Sequence, residues 1–386
     1  MYRSKTILIQ RVIPHYRVAL FQHLWERYGV RVLTSANPQI SNFLSIADPK
    51  TLEFTIPLNF HFTGKKDSRS PVMIPTFKAL KRIEPEFVVA EFGLRLSSSY
   101  ELVIARRLGI LKGLAFWTHG LAQDPADRSI STKFGLQVAR RLMAGADVLA
   151  TYGEVGASYL KSNLPGPIIM ALGNCLDGTN ISAVQRQSMP VRLGKPQLLI
   201  VGRLTADKNV LWGIRIFAEI RKNFPEAHLT IIGDGPEMER AKQLATVVGG
   251  RILFTGDLHD ESLLAPYFMG ADLLLLCGAA GLSVNHALAY QLPVMAFQGT
   301  DSGPFHHPEI EYVIAERSGF LVEEYSIAAM AERAVEVLKA GAHENIRNKL
   351  KIDSVAPSMD QVVDRFGSLL SILDGLALVS ARSHTL

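Results

Sequence analysis

The feature that most constrains the fold is one strand–helix–strand segment, Leu198–Pro236, which reads LLIVGRLTADKNVLWGIRIFAEIRKNFPEAHLTIIGDGP. Leu198–Val201 is an unbroken apolar run of strand length that ends at Gly202, and Leu229–Ile232 is a second run that ends at Gly233. Between the two runs, apolar residues recur at helical spacing along one face. The segment therefore predicts a βαβ unit, in which the two strands lie parallel in one sheet.

Two cationic side chains, Arg203 and Lys208, follow the first of these strands in the loop that leads to the helix. In open parallel sheets, ligands bind at the carboxyl ends of the strands. Two side-chain cations at this edge suit an anion, and a diphosphate fits them best. The segment therefore predicts an anion site at Arg203 and Lys208.

Length and composition place the chain among globular proteins. It has 386 residues, of which 48% are hydrophobic and 20% charged, so it can form two domains with full cores. No apolar run approaches the ~18 residues that a membrane span needs, and no signal-peptide pattern precedes the first strand, Thr6–Gln10. Cys175 and Cys277 lie in apolar segments, which is typical of free thiols in a reducing compartment. We therefore expect a cytoplasmic protein.

Strand and helix patterns alternate along most of the chain, with one interruption. The alternation runs through residues 1–180, stops over the polar, Pro-containing residues 181–196, and restarts over residues 197–360. Residues 361–386 begin as an amphipathic helix. Such alternation predicts parallel sheets covered by helices on both faces. We predict an α/β protein with two Rossmann-like domains, 1–180 and 197–360, a linker at 181–196, and a C-terminal helix and tail.

The charge is divided unevenly between the two halves. Residues 1–185 contain 22 Lys and Arg against 13 Asp and Glu, a net charge of +9, whereas the remainder contains 19 against 23, a net charge of −4. A basic half favours an anionic partner, and phosphate-bearing lipid, a membrane surface and nucleic acid are the candidates. A solvated surface with uneven charge is the alternative. The basic side chains most suited to contact an anionic membrane are these: Lys65, Lys66, Arg69, Lys78, Lys81 and Arg82.

Several motifs occur in one order along the chain: VGRL followed by DKN, then GDGP, then FTGDL at Phe254–Leu258, then ADLLLLC at Ala271–Cys277, GAAGLSVNHALAYQLPV and HPEIEYVIAERSGFLV. Together they resemble the retaining glycosyltransferases of family four, also called glycosyl transferases group 1. The resemblance covers most of the chain and is strongest from Leu198 to Val322. It implies the GT-B fold, in which two Rossmann-like domains have parallel sheets that face a central cleft.

The resemblance also implies roles for individual residues. In that family the second domain binds the nucleotide-sugar donor, and the positions that match its motifs here are Gly202, Arg203, Lys208, Gly256, Gly281, Leu282, Ser283, His286 and Glu309. The chain has no Asp-x-Asp pair of the kind that metal-dependent glycosyltransferases use. Fixed cations can stabilise the leaving diphosphate instead, so we expect catalytic roles for Arg203 and Lys208 and no metal. The helix that begins near Ser283 adds its N-terminal dipole.

The chain departs from the family pattern at two positions. Most relatives have two glutamates separated by seven residues, one for the donor sugar and one for the ribose, and the aligned positions here are Gly278 and His286. His286 can still hydrogen-bond a ribose hydroxyl through a ring nitrogen, whereas Gly278 has no side chain to offer. Glu309 and Glu311 are the alternatives for the sugar contact.

The first domain offers a separate set of candidates. His119 follows an apolar strand, where the family places a histidine near the transfer centre; a purely structural histidine is the alternative. Asp124 and Asp127 lie just beyond and could meet the acceptor. Arg11 and Arg17 lie where the family often has a Gly-rich loop, and they either contact the acceptor or a phosphate, or belong to the segment that starts the first helix.

The prediction is a metal-independent, retaining hexosyltransferase without a further cofactor. It moves a sugar from a UDP- or GDP-sugar to a saccharide acceptor in bacterial exopolysaccharide or lipopolysaccharide assembly. The basic first domain favours an acceptor that is linked to a lipid. We expect it in the cytoplasm, on the inner membrane face, with no nucleic acid partner. Two alternatives stay open: a non-catalytic GT-B partner protein that kept the fold and lost both glutamates, and a GT-B-like nucleotide-sugar epimerase.

Overall fold

The computed structural model describes residues 5–36, 46–62, 72–120, 133–299 and 304–383. The chain divides into two compact units. The first unit consists of Met1–Asn174 together with Met359–Leu386, and the second is Cys175–Ser358. None of the helices in these described ranges has the length and hydrophobicity that a membrane span requires.

The first unit is built on a parallel sheet. The strands of this unit are β1 (Thr6–Ile9), β2 (Arg31–Ser35), β3 (Thr55–Leu58), β4 (His61–Phe62), β5 (Val72–Met73), β6 (Phe87–Glu91), β7 (Gly113–Thr118), β8 (Val148–Thr151) and β9 (Ile168–Ala171). Strands β4 and β5 form a short antiparallel pair. The other seven strands form one sheet in the order β3-β2-β1-β6-β7-β8-β9, with every neighbouring pair parallel. Most of these strands are apolar throughout because helices cover both faces of the sheet.

Helices cover this sheet on both faces. They are α1 (His15–Tyr28), α2 (Thr76–Ile83), α3 (Ser97–Arg107), α4 (Lys133–Met143) and α5 (Glu154–Asn163). The chain passes from β1 to β2 through α1 in one direction along the sheet, and from β6 to β8 through α3 and α4 in the other. Right-handed crossovers therefore place α1 on one face and α3 and α4 on the opposite face, where α2 packs against α3.

The second unit repeats this architecture with six strands. They are β10 (Gln197–Val201), β11 (His228–Ile232), β12 (Arg251–Gly256), β13 (Leu273–Leu276), β14 (Val294–Phe297) and β15 (Gly319–Val322). Their order is β12-β11-β10-β13-β14-β15, and all pairs are parallel. The βαβ unit expected at Leu198–Pro236 is β10, a helix and β11, which lie side by side. Two Rossmann-like units with parallel sheets are thus confirmed.

The helices of the second unit surround its sheet. They are α6 (Gly178–Gln187), α7 (Val210–Arg221), α8 (Met238–Val248), α9 (Glu261–Gly270), α10 (Ser283–Ala289), α11 (Ile327–Lys339) and α12 (Ala342–Lys349). Helix α7 buries Ile214, Phe217 and Ile220 completely in the core of this unit. These three residues belong to the apolar face that the sequence predicts.

The segment predicted as a linker, 181–196, differs from that prediction in its first part. Residues Gly178–Gln187 form α6, so the predicted boundary at residue 180 falls inside a helix. The side chain of Asp177 caps this helix by accepting hydrogen bonds from the backbone N–H groups of Thr179 and Asn180, both at 3.1 Å. Only Ile181 is fully buried. Packing against α9 therefore stabilises a helix whose sequence carries no apolar period.

The last helix, α13 (Met359–Ser383), belongs to the first unit rather than forming a separate tail. It packs against α1 and β7 and buries Val362, Phe366, Leu369 and Leu373 completely or nearly so. The ring of Phe366 meets Trp117 of β7 edge to face, with 6.0 Å between the ring centroids. The C-terminal helix thus completes the core of the first unit.

Replacing Phe366 with Ala should lower the free energy of unfolding of the first unit by about 3–5 kcal/mol, since it leaves a cavity where a fully buried ring packs. Leu378→Ala on the same helix is the matched control, because Leu378 is exposed and should change stability by less than about 0.5 kcal/mol. Denaturant unfolding followed by Trp fluorescence measures both. Equal stability of the two variants would contradict this account of α13.

Candidate functional site

The loops that follow β10 and β11 touch each other through glycines. A Cβ atom at Gly233 would lie 2.0 Å from the carbonyl oxygen of Gly202, and one at Gly235 would lie 2.5 Å from that of Leu204. Both glycines have positive φ, 136° and 157°, which side chains other than hydrogen disfavour. Close packing between the backbones of the two loops therefore requires the two glycines of the GDGP motif.

A shallow recess opens at the carboxyl ends of β10 and β13. Its polar and glycine-rich lining comes from Gly202, Arg203, Lys208, Gly278, Ala279 and Ser283. The structure therefore brings together four of the nine predicted donor-binding residues at the sheet edge where ligands bind in α/β folds.

Arg203 presents its charge to solvent. Its side chain is exposed, and no ion pair or hydrogen bond joins its guanidinium to another side chain within the described ranges. Asp234, a candidate partner of Arg203, instead accepts a hydrogen bond from the backbone N–H of Gly235 at 2.6 Å. The guanidinium is therefore available to a ligand in the recess.

Lys208 lies in a short 3-10 turn, Ala206–Lys208, and its Nζ donates a hydrogen bond to the carbonyl oxygen of Ala279 at 2.7 Å. Burial lowers the pKa of this ammonium group, although the charges of Asp207 and Glu309 oppose the change. A partly desolvated cation gains more from a nearby anion than one in bulk water does. Of the two cations, Lys208 should therefore interact more strongly with a bound anion.

Gly278 is required by the turn that carries Lys208. A Cβ atom at this position would lie 2.1 Å from the carbonyl oxygen of Asp207 and 2.6 Å from the carbonyl carbon of Lys208. The neighbouring N–H of Ala279 donates to the same oxygen of Asp207 at 2.9 Å. Backbone atoms therefore leave no room for a side chain at Gly278.

His306, which the sequence analysis missed, fixes the same loop from the other side. Its Nδ1 accepts a hydrogen bond from the N–H of Ala280, and its Nε2 lies 2.9 Å from the carbonyl oxygen of Phe297, to which it donates. Acceptance at Nδ1 requires the neutral ring, and burial lowers the pKa of His306 to about 4. Nothing in the sequence distinguishes His306 from the adjacent His307.

Fewer backbone N–H groups of the loop 278–283 are available to a ligand than the sequence predicts, because Ala279 and Ala280 donate theirs to other groups of the protein. Gly281, Leu282 and Ser283 make no such hydrogen bond through N–H to a described residue. Ser283 begins α10, a helix of seven residues. The predicted roles of Gly281, Leu282 and Ser283 in holding phosphate stay predictions.

His286 is held by a carboxylate that the sequence analysis did not single out. Its Nε2 lies 2.9 Å and 3.1 Å from the two carboxylate oxygens of Glu261 on α9. The hydroxyl of Tyr290 also donates to Glu261, at 2.6 Å, and the His286 ring stacks on Phe268. Only the other ring nitrogen, Nδ1, therefore remains for the predicted ribose contact.

Gly256 and Glu309 are not among the residues that line the recess. The carbonyl oxygen of Gly256, at the end of β12, accepts a hydrogen bond from the N–H of Gly233 at 2.8 Å. Glu309 is buried in a short helix, Pro308–Tyr312, and its charge acts on Lys208. Among the described residues, no three His, Cys, Asp or Glu side chains are grouped so as to hold a metal ion.

In the first unit, the two arginines near the start of the chain are held by internal contacts. Arg11 pairs with Glu91 at the end of β6, with 2.9 Å between Nε and Oε1. Arg17 is buried, with its guanidinium 4.8 Å from the ring centroid of Trp117 and 4.9 Å from that of Tyr152. These contacts favour the structural interpretation of both arginines.

His119 lies on the exposed side of this aromatic cluster. Its ring faces Tyr152, with 4.3 Å between centroids, and Tyr152 in turn stacks on Trp117. The imidazole is thus positioned at the carboxyl end of β7 by a ring that a buried arginine supports. Asp124 and Asp127, like Lys65, Lys66 and Arg69, lie outside the described residues.

Replacing Gly278 with Ala should displace the turn that carries Lys208, since the new methyl group would overlap the carbonyl oxygen of Asp207. We expect a loss of about 1–3 kcal/mol in stability and at least ~5-fold weaker binding of UDP or GDP. Gly178→Ala is the matched control, because a Cβ there meets no atom within 4 Å. Calorimetric titration measures the affinity, and unchanged nucleotide binding in Gly278→Ala would contradict the proposed packing.

Replacing His306 with Gln should reduce the loss of stability in acid. The unfolded chain protonates His306 as the pH falls below 6.5, whereas the folded protein resists protonation until about pH 4. The wild type therefore loses up to about 3 kcal/mol across this window, and the Gln variant should lose less. Denaturant titrations at several pH values measure it, with the exposed His259→Gln as control. Identical pH profiles for wild type and His306→Gln would contradict a buried neutral ring.

Comparison with protein families gives a match in the second unit. Residues 195–340 match the family model described as glycosyl transferases group 1. That range contains all six strands of the second sheet and every residue that lines the recess.

Two curated proteins match part of this chain. The alpha-monoglucosyldiacylglycerol synthase of Streptococcus pneumoniae is 27% identical over 116 residues, which are 29% of this chain and 26% of that protein. The poly(glycerol-phosphate) alpha-glucosyltransferase of Bacillus subtilis is 24% identical over 152 residues, which are 38% of this chain and 21% of that protein. The matches thus span about a quarter or less of the length of these relatives.

Among solved structures, Anabaena HepE in complex with UDP and glucose is similar to this chain with a TM-score of 0.67 at 15% identity, over 95% of this chain and 99% of HepE. A likeness at this identity shows the fold, which is the one that the sequence predicts. This chain therefore has the GT-B fold, and its second unit matches the glycosyl transferases group 1 family that its motifs resemble.

Proposed function

We propose that this protein is a glycosyltransferase that moves a hexose from a UDP- or GDP-sugar to a saccharide acceptor. The observation that carries the proposal is the convergence of Arg203 and Lys208 on one recess at the carboxyl edge of the second sheet. The match of residues 195–340 to glycosyl transferases group 1 supports it. So does the likeness of the fold to a protein solved with UDP and glucose.

Arg203 and Lys208 act on the leaving group. When the bond between the sugar and the diphosphate breaks, negative charge develops on the departing oxygen, and the two cations at the recess stabilise it. Lys208 is held in place by the carbonyl oxygen of Ala279, so its charge is preorganised. We propose that these cations perform the task without a metal ion.

The proposed reaction retains the anomeric configuration, as the resemblance to family four implies. On the same face of the sugar, the bond to the diphosphate breaks and a bond to the acceptor hydroxyl forms. The acceptor proton passes to an oxygen of the leaving diphosphate. His119, whose ring is oriented by Tyr152, is the further catalytic residue that we propose from the resemblance.

The Glu261–His286 pair is the proposed replacement for the missing ribose carboxylate. Glu261 holds the imidazole through Nε2 and thereby fixes the direction of Nδ1. Hydrogen bonding to the ring lowers the pKa of Glu261 against the opposing effect of its burial. The ionised carboxylate thus favours the imidazole tautomer that donates a hydrogen bond to Glu261 through Nε2. Nδ1 of that tautomer can accept a hydrogen bond from a ribose hydroxyl.

The acceptor is proposed to be a saccharide on a lipid or phosphate-bearing carrier, in bacterial exopolysaccharide or lipopolysaccharide assembly at the inner membrane face. The net charge of +9 on residues 1–185 supports an anionic carrier. The two curated relatives, named for a glucosyldiacylglycerol and a poly(glycerol-phosphate), agree with that class.

The fate of the donor distinguishes a transferase from the two alternatives, a non-catalytic partner protein and a nucleotide-sugar epimerase. A transferase releases UDP or GDP in proportion to glycosylated acceptor. An epimerase changes the sugar of the donor, and a non-catalytic partner does neither. Chromatography of the nucleotides after incubation with a panel of donors separates the three.

Changing either Arg203 or Lys208 to Ala should lower kcat/KM by at least ~100-fold, the effect of losing one group that stabilises developing charge. Arg215→Ala is the matched control, because Arg215 is an exposed cation on α7 that does not line the recess. Release of nucleoside diphosphate from the active donor measures all three variants. Wild-type rates in both Arg203→Ala and Lys208→Ala would contradict the proposal.

The same assay tests the metal-free mechanism. EDTA should leave the wild-type rate unchanged, since the proposed charge stabilisation comes from side chains. A rate that falls in EDTA and returns with manganese would overturn that part of the proposal while leaving the transfer itself intact.

A further inference from the structure

Arg17 is a buried cation that no carboxylate contacts. It lies in the first turn of α1, is 7% exposed, and forms no ion pair with a residue of the described ranges. Glu91, whose charge reaches it, is paired with Arg11 instead. Arg17 donates a hydrogen bond from Nη1 to the neutral amide oxygen of Gln10, at 3.2 Å. A buried charge without an opposite charge in contact costs free energy, so stability does not explain why Arg17 is present.

The polar groups around this guanidinium do not compensate for its burial. Among the described residues, no side chain or backbone group accepts a hydrogen bond from Nε of Arg17, the indole N–H of Trp117 or the amide nitrogen of Gln10. The pKa of Arg17 is raised: burial opposes the charge, and ionised Tyr152 and Tyr16 favour it. A tyrosine keeps its proton at neutral pH, so neither supplies a compensating charge there. An apolar side chain of the same size would therefore stabilise the first unit as well or better.

The close contacts of Arg17 are with aromatic rings that lead to His119. Its guanidinium lies 4.8 Å from the ring centroid of Trp117 and 4.9 Å from that of Tyr152. These two rings stack on each other with 5.0 Å between centroids, and the His119 ring lies 4.3 Å from that of Tyr152, tilted by 31°. A cation near the face of an aromatic ring is attracted by the quadrupole of the ring. Arg17 therefore anchors the ring against which the imidazole packs.

The register of the sheet places His119 beside Tyr152. Thr118 of β7 is paired with Thr151 of β8, so the residues that follow, His119 and Tyr152, lie next to each other just beyond the strand ends. The backbone of His119 is closely packed as well, since a Cβ atom at Gly156 on α5 would lie 2.9 Å from its carbonyl oxygen. His119 is exposed, whereas Tyr152 is buried. An exposed imidazole is thus held on a buried support.

We infer that Arg17 is a positioning residue for sugar transfer: it holds the ring of Tyr152, and through this ring it fixes the direction of the His119 imidazole. The inference rests on the proposed catalytic role of His119. A misplacement of about 1 Å near a reacting centre can lower a rate ~100-fold, so an exposed imidazole needs such a support. Burial raises the pKa of Tyr152, so its ring acts by packing and its hydroxyl keeps the proton.

Stability and catalysis should respond to Arg17→Met in opposite directions. The methionine keeps most of the side-chain length without the charge, so we expect an unfolding midpoint in urea equal to or above that of the wild type. We expect kcat for release of nucleoside diphosphate to fall at least ~10-fold, because a flexible thioether does not hold the two rings in one orientation. Arg17→Lys, which keeps a cation near the rings, should recover part of kcat.

The effect of Arg17 on kcat should pass through His119. In a double-mutant cycle, His119→Ala should lower kcat at least as far as Arg17→Met does, and Arg17→Met should have no further effect in the His119→Ala protein. Tyr152→Leu should lower kcat at least ~10-fold, whereas Tyr152→Phe keeps the ring and should keep most of kcat. The KM for the donor and the calorimetric affinity for UDP or GDP should stay unchanged in all these variants, because the proposed donor site lies in the second unit.

The orientation of His119 can also be observed without turnover. In the full-length protein labelled with ¹³C at Cε1 of histidine, the ring current of Tyr152 should displace the His119 resonance, which His119→Gln assigns. This resonance should move towards that of a solvent-exposed histidine in Arg17→Met and in Tyr152→Leu. Leu24→Ala is the matched control, because it removes a buried side chain from the same helix. It should lower the unfolding midpoint and leave both the His119 resonance and kcat unchanged.

Three results would overturn the inference. The first is an unchanged His119 resonance in both Arg17→Met and Tyr152→Leu. The second is a lower unfolding midpoint in Arg17→Met together with the wild-type kcat, which is the behaviour of a residue kept for stability. The third is an undiminished effect of Arg17→Met on kcat in the His119→Ala protein. A wild type that transfers no sugar, in which the His119 resonance still responds as expected, would instead contradict the proposed function.

Discussion

The site depends on one close contact between two loops of the second sheet. The Asp207–Lys208 turn lies directly on Gly278 and Ala279: the N–H of Ala279 donates to Asp207, Lys208 Nζ donates back to Ala279, and no side chain fits at Gly278. This contact holds a partly desolvated ammonium group at the strand ends, so the charge is placed before any ligand binds. Preorganised charge of this kind stabilises an anion more than a mobile surface lysine does, because no side-chain entropy is lost on binding.

Two further contacts secure this arrangement from either side. Asn209, in the left-handed region at φ 50°, immediately precedes α7, and its side-chain amide donates a hydrogen bond to the hydroxyl of Tyr325 at 2.6 Å. His306 ties Ala280 to the end of β14. Hydrogen bonds therefore join the lysine turn, the small-residue loop and two strand ends in one frame, and that frame leaves no room for a side chain at Gly278.

The strands of both sheets could be predicted from the sequence because buried parallel strands are apolar throughout, as in Leu198–Val201. The same apolar pattern recurs in the second strand of the βαβ unit. The sequence also placed Arg203 and Lys208 at a strand end. It did not predict α6, which has one buried residue, or the roles of His306 and Glu261. Those roles depend on contacts between residues that are far apart in sequence, such as His306 with Ala280, and local patterns do not encode such contacts. For the same reason, the sequence could not show that Nε2 of His286 is already held by Glu261.

The most direct test of the central claim compares ligands with and without the diphosphate. Calorimetric titrations of UDP against uridine, and of GDP against guanosine, measure how much affinity the diphosphate adds in wild type and in Lys208→Met, which keeps the side-chain length without the charge. The account predicts that one diphosphate binds the wild type at least ~100-fold more tightly than its nucleoside, and that Lys208→Met loses most of this advantage while nucleoside affinity is unchanged. An equal advantage of the diphosphate in both proteins would contradict the central role of Lys208.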